Sequence, residues 1–224
     1  MIGRVLLAAL LAGIAAGLIM GAIQHVRLTP LILAAEVYET GGDHGSAETT
    51  APEWAPAEGL QRTLATTAAT AMTGAAFAAI LAGVSLLSGM AITRRNGVIW
   101  GLCGFLAATL APAAGLPPEL PGMPAGDLAT RQIWWIATIA ATGLGIYLIA
   151  SRREAWAIMA AVVVIALPHV VGAPLAESHE TAVPAGLAAA FAANAIAAGA
   201  VFWSLIGLFL GLALEKLGKG IHAT

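Results

Sequence analysis

The sequence predicts an all-α polytopic membrane protein, a single six-helix transmembrane bundle with both termini cytoplasmic. Three observations carry that expectation. Charged residues make up 10% and hydrophobic residues 59% of the 224-residue chain, whereas a soluble domain carries about a quarter charged residues. The intervals Arg4–Arg27, Arg62–Arg94, Arg95–Glu119, Arg131–Arg152, Glu154–Glu177 and Glu180–Glu215 contain no Asp, Glu, Lys or Arg, and no histidine besides His25 and His169. Each can supply the roughly 20 apolar residues that cross a bilayer core. Finally, charge alternates in sign from loop to loop. Arg4, Arg94, Arg95, Arg152, Arg153, Lys216 and Lys219 fall in one set of connections, with only Glu154 and Glu215 against them. The other set carries Arg27, Arg62 and Arg131 together with Glu36, Glu39, Asp43, Glu48, Glu53, Glu58, Glu119, Asp127, Glu177 and Glu180. Lys and Arg concentrate on the cytoplasmic side, so the acidic loops are expected to face out. The net charge of −2 averages over this polarity and offers nothing to nucleic acid.

The expected spans are 4–26, 64–92, 97–116, 132–150, 155–172 and 184–214. The first begins with a basic residue and resembles a secretory signal, but its apolar run to Ile23 outlasts a signal core, so an uncleaved helix is expected. Residues 28–62 form a long acidic outer loop. Within it Leu31–Tyr38 is apolar around Glu36, as suits a short interfacial helix, while Gly41–Gly59 is polar and interrupted by prolines. Two minimal basic turns, Arg94–Gly97 and Ser151–Glu154, set three hairpins opening outward, pairing spans one with two, three with four, and five with six. The last two hairpins share a faint pattern: Pro112, Gly115, Pro117 and Glu119 in one, Pro168, Gly172, Pro174 and Glu177 in the other. Transporters are often built from such repeats.

Small residues recur every fourth position: Gly13, Gly17 and Gly21; Ala71, Ala75, Ala79 and Gly83; Gly207 and Gly211. In lipid, helices associate by the close backbone approach that this spacing permits. Trp100, Trp134, Trp135 and Trp156 lie near span ends, where indoles anchor at the interface. Cys103, the single cysteine, is expected as a small core residue, with no disulfide framework or thiolate metal site.

Ionisable residues at membrane depth are costly and point to function. His25 follows Gln24 at the outer end of the first span. His169 follows Pro168 at the outer end of the fifth, and that proline frees a backbone carbonyl one turn earlier. Imidazole with carboxylate suits divalent first-row metals. Glu36, Glu39 and His44 in the first outer loop, and Glu177 and His179 in the last, are candidate companions. Two readings stay open: a metal-gathering mouth, or solvated acidic loops with histidines bonded at helix ends. Thr63, Thr66, Thr67, Thr70 and Thr73 form one polar stripe expected to face the bundle interior. Thr66 and Thr70, with Asn194 on the last span, are candidate pathway residues, although threonines in lipid more often bond back to their own helix. No phosphate-binding loop, haem-attachment string or nucleophile–base arrangement occurs, so no enzyme and no organic cofactor is expected.

Particular strings carry a family resemblance. Gln24-His25, Pro30–Leu33 and Glu36-Val37-Tyr38-Glu39 resemble the end of the first helix in the CbtA family. The run Gly115–Pro124, with Asp127 and Arg131–Trp135, resembles that family's second outer loop, and Leu167-Pro168-His169 with Gly172-Ala173-Pro174 its third. The resemblance implies a cobalt transporter subunit of the bacterial inner membrane, linked to cobalamin supply. It also implies a companion of CbtB type, a single-span protein with a His-rich end. The expected function is import of Co²⁺, or of Ni²⁺ or another divalent ion, by this chain or a homo-oligomer of it. The rival is an accessory or scaffold subunit of a larger membrane complex.

Overall fold

A computed structural model of the chain describes residues 2–39, 56–57, 59–152, 154–178 and 180–219. Among these residues there are helices and no strands: α1 (Ile2–Arg27), α2 (Thr29–Glu39), α3 (Leu60–Ser88), α4 (Gly97–Ala113), α5 (Leu128–Ser151), α6 (Ala155–Val171) and α7 (Ala185–Lys219). Four of them, α1, α3, α5 and α7, are long and apolar enough to cross a membrane, while α2, α4 and α6 are shorter apolar helices. Every uncharged interval of the sequence holds one of these helices, and α2 lies where the short helix of segment 28–62 was expected.

The core is built by α1, α3 and α7. Ala9, Ala12, Ala16 and Met20 of α1 meet Ala78, Leu81 and Ala82 of α3, with Phe202, Ile206 and Leu210 of α7 closing the third side. The α1–α3 seam depends on glycine. A Cβ on Gly13 would lie 2.2 Å from the carbonyl oxygen of Gly74, and one on Gly17 would lie 2.4 Å from Cα of Ala71. Of the expected stripe on α3, Ala71 and Ala75 lie in the seam, joined by Gly74 and Ala78, while an added Cβ at Gly83 would meet nothing within 4 Å. A second seam joins α4 to α7, where Gly97 abuts Gly207, Gly101 abuts Trp203, and Gly211 abuts Thr93. The ring of Trp203 stacks on Phe77 at 4.7 Å between centroids.

Helix partners differ from the three expected hairpins. α1 does pair with α3, but α4 packs chiefly on α7, and α6 on α5. The short basic turns determine which helices are consecutive. The glycine seams determine which lie side by side, and backbone contact prevails. α3 also stops at Ser88, ahead of the expected span end, because Gly89 takes a left-handed φ of 70° and ends the helix. Trp134 is an internal residue, only 7% exposed, and not the interfacial anchor expected. Trp135 and Trp156 are exposed, and Cys103 is half-buried.

α4 contains a wide π-turn at Leu106–Leu110, where the N–H of Ala111 donates to the carbonyl of Leu106. Thr109 of that turn accepts the indole N–H of Trp203 at 3.1 Å. At the loop-rich end, α2 folds back over the bundle. Its fully buried Ala35 packs with Leu120 and Val183, drawing three separate connections together. The hydroxyl of Thr181 donates to the carbonyl of Gly122 at 3.1 Å across the same junction.

Candidate functional site

The end of α1 runs directly into α2. The N–H of Leu28 still donates to the carbonyl of Gln24 at 2.9 Å, and the hydroxyl of Thr29 donates to that same carbonyl at 3.2 Å. This bend leaves a cavity of about 420 Å³ between the α1–α2 junction and the first turns of α3. Gln24 and His25 of α1, Thr29 and Ile32 of α2, Thr63 and Thr66 of α3, and Phe191 of α7 line it.

Inside, Thr70 donates its hydroxyl to the side-chain oxygen of Gln24 at 2.7 Å, fixing the amide toward the cavity floor. The hydroxyl of Thr63 lies 3.4 Å from Nδ1 of His25. At the rim, the Arg62 guanidinium clamps the Glu36 carboxylate, with Nη1 at 3.4 Å from Oε2 and a shorter contact between Nη2 and Oε1. That hydrogen bond holds the Glu36 carboxyl below its ordinary value. Two charges therefore cancel at the rim, and the interior presents an imidazole nitrogen, an amide oxygen and hydroxyls.

Of the candidate residues, His25, Thr66 and Thr70 come together with this cavity or its floor. Glu36 stands at its edge, committed to Arg62. His169 lies elsewhere, on α6, its ring edge-on to Trp134 at 5.7 Å between centroids. Glu177 is exposed in the segment after α6. His44 and His179 lie outside the described residues, and of Glu39 only the backbone is described. Among the described residues no group of three or more His, Cys, Asp and Glu side chains could hold a metal ion. The expected convergence of His25 and His169 is not seen: α1 packs with α3, α7 and α2, whereas α6 packs with α5.

The threonine stripe also differs from the expectation of a uniformly inward face. Thr70 is buried, but Thr66 and Thr73 are exposed. Thr63, Thr67 and Thr73 each donate to the carbonyl of the residue one turn earlier, and the Thr70 hydroxyl, directed at Gln24, also lies 2.8 Å from the carbonyl of Thr66. Asn194 likewise donates to the carbonyl of Ala190 at 2.8 Å. The contributions of Gln24, Arg62 and Phe191 were not anticipated. Gln24 could have been found as the one amide of the first span, placed beside its one histidine. Arg62 could have been found as the one Lys or Arg of the acidic segment 28–62, where a carboxylate partner is close at hand.

Four helices long and apolar enough to cross a membrane, with polar side chains gathered around a cavity at one end, fit a multi-pass membrane protein. The chain belongs to the CbtA family: the family model, described as a probable cobalt transporter subunit, matches residues 2–215. No curated protein and no solved structure gives a match.

Proposed function

We propose that this chain is the permease subunit of a Co²⁺ importer of the bacterial inner membrane. In this reading all six long apolar intervals span the bilayer, both termini are cytoplasmic, and the loop-rich end faces out. Glu36, Glu39, His44, Glu177 and His179 raise the local concentration of cations at that face. His25 makes the first inner contact. Gln24, Thr63 and Thr66 replace part of the ion's water, and Thr70 and Asn194 offer oxygens further along. His169 acts at the neighbouring α5–α6 pair. Ni²⁺ or another divalent ion would fit the same neutral donors. An inside-negative potential favours entry by about 2.3 kcal/mol per charge per 100 mV, so no ATP site is needed. The cobalt would serve cobalamin synthesis, and a CbtB-type single-span, His-rich subunit would hand over the metal. The observation that carries this reading is the pairing of His25 with Thr63 at the mouth of a polar cavity, in a chain of the CbtA family.

The test is Co²⁺ flux into proteoliposomes, with and without the companion subunit. The expected result is metal-dependent uptake that falls at least tenfold in His25→Ala while assembly is unchanged. Flux equal to that of empty vesicles under both conditions would remove the permease role.

One observation favours a second reading, in which the chain is an accessory subunit that positions a metal-handling partner. No three-ligand group occurs among the described residues. On that reading His25→Ala and His169→Ala leave transport by the assembled complex intact.

A further inference from the structure

A second cavity, of about 350 Å³, lies on the other side of the molecule, where α3, α4 and α5 fail to close on one another. Val84 of α3, Ile99 and Cys103 of α4, and Ile139 and Tyr147 of α5 form its walls, and Trp203 forms its floor. Nearly all the lining is apolar. The polar side chain at one end, Asn96, is already satisfied: it accepts from the N–H of Thr93 at 2.7 Å and donates to the carbonyl of Ala91 at 3.0 Å. The groove therefore asks for hydrocarbon and not for a polar ligand.

Its dimensions and its ends narrow the choice. Along α5 it runs from Ala150 to Ile139, about 16 Å at roughly 1.5 Å per residue. That is about half of a hydrocarbon core roughly 30 Å thick, the depth of one leaflet. An open groove of that depth with apolar walls accommodates one extended acyl chain along its length, and the charge at its ends decides the headgroup. The shallow end is basic. Asn96 continues the turn bearing Arg94 and Arg95, and Ala150 is followed closely by Arg152. All three arginines are exposed, and none pairs with a carboxylate among the described residues. Glu154, at the start of α6, is the acidic residue nearest in sequence to this edge. Basic residues flanking a cleft between transmembrane helices recruit anionic lipid headgroups.

We propose that this groove is a lipid site, holding one acyl chain of an anionic phospholipid whose phosphate is met by Arg94, Arg95 and Arg152. The site is separate from the His25 cavity and requires no transport activity. The bound chain fills the gap between the α1–α3–α7 core and the α5–α6 pair, where protein packing is thin.

Native mass spectrometry of the intact purified chain tests this, with added phosphatidylglycerol and phosphatidylcholine of equal chain length. The wild type is expected to retain one phosphatidylglycerol per chain, at least fivefold over phosphatidylcholine. Replacing the arginines (Arg94→Gln, Arg95→Gln, Arg152→Gln) should bring that preference close to parity. Gly143→Leu provides the control against misfolding: Gly143 lines the groove, and an added Cβ there meets nothing within 4 Å. It should fold normally and cut retention of both lipids at least tenfold. A photoactivatable acyl chain should label Ile139 and Tyr147. Equal retention of the two lipids by wild type, retention unaffected by Gly143→Leu, or labelling spread evenly over the bundle would overturn the proposal.

Discussion

Trp134 of α5 donates its indole N–H to the backbone carbonyl of Pro168 in α6 at 3.0 Å. The same ring covers Gly115, where an added Cβ would lie 2.5 Å from it, and it faces the edge of His169. One side chain thus pins the ends of α4, α5 and α6 together. Trp134→Phe retains most of the packing and loses the bond. The expected cost is about 0.6–2 kcal/mol, the range for a hydrogen bond between helices in lipid. Trp134→Ala should cost about 3–5 kcal/mol. Reversible unfolding in detergent or bicelles measures both.

Gly13 and Gly83 predict opposite outcomes for similar substitutions. Gly13→Leu drives a side chain into the backbone of α3 and should abolish the monodisperse protein, a cost above the roughly 1–3 kcal/mol of ordinary overpacking. Gly83→Ala meets nothing and removes the flexibility of a mid-helix glycine, for a gain of about 0.5–1 kcal/mol. Size-exclusion profiles and melting temperatures of the two variants give the comparison directly.

Gln24 and Thr70 link α1 to α3 beneath the cavity. Thr70→Val removes the donor at nearly constant volume and releases the Gln24 amide. Stability should fall by about 1 kcal/mol, and a double-mutant cycle with Gln24→Leu should show the two losses to be non-additive. If His25 acts with Gln24 on a cation, Thr70→Val should also lower Co²⁺ uptake several-fold.

The Glu36–Arg62 clamp sets a pH dependence of defined sign. Arg62 depresses the Glu36 carboxyl below the ordinary 4.5. The contact therefore contributes its full stability above that ordinary value and loses it as pH falls through the depressed one. Both side chains are about a third exposed, so the contribution is no more than about 1 kcal/mol. Carboxyl-carbon NMR should show Glu36 titrating below 4.5, and Arg62→Gln should move the midpoint up. At neutral pH and above, docking of α2 should not change.

Helix positions were legible because lipid-soluble helices exclude charge, and the absence of Asp, Glu, Lys and Arg is visible residue by residue. The α1 glycine stripe was legible for a related reason: Gly13, Gly17 and Gly21 leave no side chain to pack, so that face must meet backbone. What could not be read was rotation about each helix axis beyond such stripes. His25 and His169 share a depth pattern in the sequence, yet the choice of partner for α6 depends on Trp134 reaching Pro168, which no spacing rule encodes. Arg62 and Glu36 are separated by a long polar segment, and the bend after Gln24 that brings them together is a local backbone event. The back-bonding of Thr63, Thr67 and Thr73 was legible, because helical spacing lets these hydroxyls reach the carbonyl one turn earlier, as threonines in lipid commonly do.

The π-turn at Leu106–Leu110 gives α4 two allegiances. Ahead of it, Gly97 and Gly101 keep the helix on α7; from the turn onward the helix leans on α5. A regular helix could not aim both stretches at those neighbours, since one residue more or less rotates everything downstream by about 100°. Deleting a single alanine there would leave Gly97 and Gly101 on α7, break the bond between Thr109 and Trp203, and swing Gly115 away from Trp134, uncoupling the two halves of the protein at one joint.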